Sequence, residues 1–253
     1  MFREMVNRNL RERLFLGLLF CMISVGCGRT EVSTKSPDPE LKLSPLVIHS
    51  VNPGSTVKHG VEWRTALVDQ RQNTVLNGPK WYVTEIDTDP TATEVIRFNA
   101  YELPAAPAGD TVKHHVVNVD RKGGIRMTFE VQSATHFLLT SQELKEGSPA
   151  EAPANLSRFV ACPIVDGEAL PGEILDLQQE SVTLQEPVYI LIPAEEWHHD
   201  DHYPVKDSKS CWVVYEVEPK TSEGTLSTLD EMGLNSLELD ERKYVCLPAR
   251  WSS

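Results

Sequence analysis

Three features of the sequence predict an all-β fold: short runs rich in β-branched and aromatic residues, turn signals between them, and no helical period of useful length. Residues 116–119, 188–192 and 212–217 carry the side chains that suit a pleated, half-buried surface. Asn77-Gly-Pro79, Lys122-Gly-Gly124, Asp166-Gly167 and Pro171-Gly172 punctuate such runs. The best helical candidate after residue 45 is the single turn at 141–145. Open strand edges need partners. The expected architecture is therefore two to three repeated small antiparallel β units, packed as a sandwich or compact barrel behind an N-terminal signal peptide.

Residues 1–13 are polar and basic, and Leu14-Phe-Leu-Gly-Leu-Leu-Phe-Cys-Met-Ile23 is an apolar run. Ser24, Val25 and Gly26 follow, so 1–26 reads as a secretory signal peptide. The run falls short of the roughly 20 residues that span a bilayer. Residues 27–45 are polar and proline-bearing and read as a flexible tether. Residues 46–51 and 61–68 add two or three strands before the first repeat.

Self-similarity organises the remainder. Trp81-Tyr-Val-Thr-Glu-Ile-Asp87, Phe159-Val-Ala-Cys-Pro-Ile-Val165 and Trp212-Val-Val-Tyr-Glu-Val-Glu218 each open on an aromatic residue and continue as a strand. A turn and a closing strand follow each. The clearest copy runs Asp230-Glu-Met-Gly233, Leu237-Glu-Leu-Asp240, then Tyr244-Val-Cys-Leu-Pro-Ala249. The units fall near 81–141, 159–197 and 212–251, the first with an insertion around 95–118. The domain reading is thus a β region with the first unit at 46–141, a linker at 142–158, a second unit at 159–200 and a third at 201–253.

The formal net charge is −13, although the first 26 residues are net positive. No basic cluster follows residue 30, so phosphate backbones would repel this chain, and nucleic acid is not an expected partner. The sequence holds no Gly-x-Ser-x-Gly elbow, no Cys-x-x-Cys, no Walker loop and no Gly-x-Gly-x-x-Gly. Binding or structural work is expected rather than catalysis, without a cofactor. The one dense ligand cluster is Trp197-His198-His199-Asp200-Asp201-His202-Tyr203, whose His198, His199 and His202 would suit a divalent transition metal. A metal-binding protein or metal-dependent hydrolase is therefore the alternative, and a solvated polar loop the plainer reading.

Two resemblances add to this. Ser24-Val-Gly-Cys27 resembles the lipobox of bacterial lipoproteins, with Ser24 in place of the usual leucine. The resemblance implies lipidation of Cys27 and an exported protein anchored in a membrane, facing the periplasm or the cell exterior; plain cleavage near Gly26 is the other reading. Its expected partners are the membrane, through the anchor, and an unknown envelope protein or glycan. The repeat resembles an uncharacterised β-rich repeat domain of secreted bacterial proteins. Trp212 and Tyr215 match that family's opening strand, Asp230-Glu-Met-Gly233 its turn, and Cys246-Leu-Pro248 its closing strand. Val214 departs from it, standing where the family carries a cysteine. No catalytic residue carries over from this family. In an oxidising space one disulfide is expected among the remaining cysteines. Cys211–Cys246 is the preferred pair, because it would join the first and last strands of unit three; Cys162–Cys211 is the alternative.

Overall fold

The computed structural model describes residues 43–54, 58–86, 92–105, 113–121, 124–144, 151–167, 172–177 and 180–252. Every regular element among them is a β-strand. The expected signal peptide at 1–26, Cys27 and most of the expected tether lie outside the described residues.

The chain enters through β1 (Leu46–Pro53), then a hairpin of β2 (His59–Thr65) and β3 (Val68–Leu76), then β4 (Trp81–Glu85). The stretch 61–68 spans the end of β2 and the start of β3, with a turn just after Thr65. Its hydroxyl accepts hydrogen bonds from the backbone N–H of Leu67 (3.2 Å) and Val68 (3.3 Å), closing the turn. Next come β5 (Arg97–Glu102), β6 (His115–Arg121), β7 (Ile125–Val131), β8 (His136–Thr140) and the short β9 (Gln142–Glu143). The chain continues through β10 (Arg158–Gly167), β11 (Ile174–Leu177), β12 (Glu180–Thr183), β13 (Pro187–His198) and β14 (Asp201–Tyr203). It ends on β15 (Ser210–Thr221), β16 (Thr225–Asp230) and β17 (Gly233–Ser252).

Antiparallel pairing closes eight of these strands into a ring, β1-β4-β5-β8-β10-β13-β15-β17 and back to β1. Closure removes free edges from these strands. Alternate side chains point inward and fill the barrel: Ile48, Val83, Phe98, Leu138, Phe159, Leu191, Trp212 and Cys246 among them. Each large side chain so buried contributes about 1.5–3 kcal/mol.

A second ring of six strands, β10-β7-β6-β17-β15-β13, shares four strands with the first. Its interior holds Val119, Met127, Phe129, Cys162, Ile190, Val213 and Leu247. β10, β13, β15 and β17 thus form a common wall with a core on each face. That explains why their segments read as near-continuous apolar runs rather than alternating ones. β10 serves both rings by changing partner along its length, from β8 at Phe159–Ala161 to β7 at Ile164–Gly167. Gly167 is required at that crossing, because a Cβ there would lie 2.4 Å from Cδ1 of Phe129.

The pairing also moves the start of unit one. In unit two, Phe159 of β10 faces Pro193 of β13; in unit three, Trp212 of β15 faces Pro248 of β17. The matching pair in unit one is Phe98 of β5 with Thr140 of β8. Ala100, Ala161 and Val214 then face Leu138, Leu191 and Cys246. The opening residue of unit one is therefore Phe98 and not Trp81. β4 is an aromatic-led strand too, but it pairs with β1 and β5 as a barrel closer.

Candidate functional site

The expected metal ligands do not converge. β13 and β14 form a hairpin with Trp197 opposite His202 and His198 opposite Asp201, turning at His199 and Asp200. Residues directly opposite share a face and successive residues alternate, so His198 and His202 point to opposite sides. His202 stacks on Trp197, with centroids 4.7 Å apart and planes 8° from parallel. His198 lies by His199 at 4.2 Å and His59 at 6.5 Å instead. Burial first, then the neighbouring histidines, hold His198 below the usual imidazole range. Among the described residues, no group of three or more His, Cys, Asp or Glu is placed to hold a metal ion.

The expected disulfide is not formed either: Cys162, Cys211 and Cys246 are all free and buried. Cys246 faces Val214 and Cys211 faces Ala249, so they stand three residues out of register on neighbouring strands. At about 3.4 Å per residue that is about 10 Å, against the usual Cα spacing of about 5.5–6 Å in a disulfide. The odd offset also sends them to different interiors, Cys246 into the first barrel and Cys211 into the second. Burial pushes the thiols of Cys162 and Cys211 up to about 12, and that of Cys246 higher still.

One end of the first barrel carries a layer of aromatic rings. Trp81 of β4, His136 of β8, Tyr189 of β13 and Tyr244 of β17 take inward positions there. Trp81 stacks on His136 at 3.7 Å and meets Tyr189 at 5.3 Å and Tyr244 at 5.8 Å. The two tyrosines are 6.0 Å apart, edge to face. Trp81 is buried, while His136, Tyr189 and Tyr244 keep part of their surface in solvent. Lys243 lies 5.6 Å over the Tyr244 ring, and its Nζ is 3.9 Å from Glu216. Burial pushes His136 down to about 4, so it is neutral near pH 7 and acts as an aromatic surface.

Two acid clusters are anchored by the β16–β17 turn. Asp230 accepts hydrogen bonds from Tyr101 Oη (2.7 Å), Asn99 Nδ2 (2.6 Å) and Asn235 Nδ2 (3.2 Å) on one oxygen, and from the Met232 N–H (2.9 Å) on the other. Burial pushes its carboxyl up, and these donors hold it down in part. Beside it, Glu231 meets the Arg158 guanidinium, whose Nε donates to Glu196 at 3.0 Å. The Tyr203 ring lies 3.9 Å over that guanidinium.

The sequence reading missed this acid–arginine arrangement, although a repeat signal for it exists. An arginine directly precedes the opening aromatic residue in units one and two: Arg97 before Phe98, Arg158 before Phe159. A glutamate lies three residues beyond the closing position in each: Glu143 after Thr140, Glu196 after Pro193. Both pairs meet in space, Arg97 with Glu143 at 3.7 Å and Arg158 with Glu196 at 3.0 Å. Unit three has Cys211 and Trp251 at these positions. The signal appears only once unit one starts at Phe98.

Residues 98–248 match a family described as a repeat of unknown function, DUF7450. No curated protein matches the chain, and no solved structure does.

Proposed function

Since the chain belongs to this family of repeats of unknown function, we propose that it is an exported, lipid-anchored envelope protein whose β domain binds a glycan at the aromatic end of the first barrel. The signal-like segment and the lipobox-like Ser24-Val-Gly-Cys27 support export and anchoring.

The observation that carries the binding role is the Trp81–His136–Tyr189–Tyr244 layer. Sugar rings present flat C–H faces to aromatic side chains and hydroxyls to polar ones. This end supplies both, with tyrosine rings and the Glu216 and Lys243 side chains beside them. Barrel mouths are recurrent ligand positions.

The test is titration of the full chain with an oligosaccharide panel, followed by tryptophan fluorescence. Saturable quenching, weakened about tenfold in Tyr244→Ala, supports the reading. An absence of saturable binding across the panel overturns it. Labelling with a radioactive fatty acid, lost in Cys27→Ala, tests the anchor separately.

A protein partner is the second reading, favoured by β3. Among the described residues β3 pairs with β2 alone, and its Val75 is exposed, so a strand of another chain could add there.

A further inference from the structure

We propose that Arg158, Glu196 and Glu231 form a proton-dependent latch that fastens the β16–β17 turn of unit three onto unit two. Arg158 supplies one positive charge; Glu196 and Glu231 supply two negative ones if both ionise. Glu196 is wholly buried, and the Arg158 and Glu231 side chains are 8% and 15% exposed. A site this dry tolerates a balanced set far better than a net charge. One retained proton brings the three groups to neutrality.

Hydrogen bonding selects the same state. Arg158 Nε donates to Oε2 of Glu196, and its Nη2 donates to Oε1 of Glu231. The other two oxygens, Glu196 Oε1 and Glu231 Oε2, are buried and receive no donor. The two carboxyl groups are themselves hydrogen-bonding neighbours. A proton on one satisfies both orphan oxygens, as in any carboxyl–carboxylate pair. Burial, then the facing Glu231 charge, raise Glu196 to about 8, against the opposing pull of Arg158. Burial raises Glu231 as well.

The other charged groups around the site set the direction of release. Asp230 lies beside Glu231 in the same turn, Tyr203 of β14 caps the guanidinium, Asp201 stands behind Tyr203, and Lys206 acts on Arg158 from the following loop. When the carboxyl O–H bond breaks and the proton leaves to water, two carboxylates and Asp230 face one arginine. Glu196 is fixed within β13, whereas Glu231 sits on a two-residue turn. The turn is the part that moves. As it lifts, Asp230 leaves Asn99 and Tyr101 of unit one too. The single proton is held more tightly in the closed turn than in the open one, so the stability it supplies is present at the ordinary glutamate value of 4.5. It declines as pH rises toward about 8.

The test is amide hydrogen exchange of the full chain across residues 226–236, corrected for the intrinsic pH dependence of exchange. With one proton lost on opening, the opening constant of wild type should rise about tenfold per pH unit within that window. Glu231→Gln, whose amide donates permanently to Glu196, should flatten the slope. A wild type with no such rise, or a variant with the wild-type slope, overturns the latch. Should the variant not fold, infrared spectroscopy of wild type decides. A protonated-carboxyl band at pH 6.5 that disappears as pH rises supports the latch, and its absence at pH 6.5 overturns it.

Discussion

The ring of Phe159 meets that of Trp212 edge to face, with centroids 4.9 Å apart, inside the first barrel. The two residues hold the same position in successive repeats, each facing the closing-strand proline of its own unit. Phe98, their counterpart in unit one, stands 5.6 Å from Phe159 and 6.3 Å from Trp212. The three repeats are therefore joined at their opening residues, and the core of the barrel is the point at which they recognise one another.

This joint should dominate stability. Phe159→Ala is expected to cost about 3–5 kcal/mol, as the removal of a large buried ring does. Urea denaturation measures it. Phe98→Leu and Phe159→Leu together should deviate from additivity, because the rings share contacts. Additive losses would mean the units are stabilised independently.

Asp230 should tolerate no truncation. Its carboxyl is the shared acceptor for Tyr101, Asn99 and Asn235. Asp230→Ala leaves those donors buried without it and should cost about 3 kcal/mol. Chemical denaturation of that variant checks the size.

Acid should weaken the fold through two histidines. Burial pushes His49 and His136 down to about 4, and Arg242 adds to the effect at His49. Both must be neutral when folded and take up protons on unfolding. The stability they contribute is full above the ordinary 6.5 and is lost as pH falls toward 4. His136→Phe keeps a ring against Trp81 and cannot charge. Its urea midpoint should fall less steeply from pH 7 to pH 4 than that of wild type; equal slopes would remove His136 from this account.

His199 adopts φ of 54°, a conformation that favours glycine. His199→Gly should raise stability by about 0.5–1 kcal/mol. Thermal denaturation checks the sign, and a lower midpoint would show that the His199 side chain holds the hairpin tip.

Cysteine chemistry should be silent until the domain opens. In native protein Cys162, Cys211 and Cys246 should resist alkylation, and in denaturant without reductant all three should react. Mass spectrometry counts the adducts. Protection of Cys211 and Cys246 in unreduced, denatured protein would instead reveal a disulfide.

The all-β class was legible because strand-forming residues and turn signals are local properties. Unit one was harder. Trp81 and Phe98 both open strands with an aromatic residue, and pairing with β8 alone tells them apart. Cys211 and Cys246 were rightly placed on first and last strands of unit three, but register decides whether such a pair can bond, and register is a long-range property. The histidine cluster failed for a similar reason: spacing in the chain says nothing of facing until the turn at His199 is known. The Glu196–Glu231 pair joins two units, so neither repeat pattern alone announces it.

The wall shared by the two rings sets the count of units. A stacked array of repeats has ends, and evolution lengthens or trims it there. Here β10, β13, β15 and β17 belong to two closed circuits at once. Deleting unit two would breach both circuits, and a fourth unit would find no free seam in either ring. Variation in relatives should therefore gather in the β11–β12 hairpin and in the turn between β13 and β14, which lie off both circuits, rather than in the number of repeats.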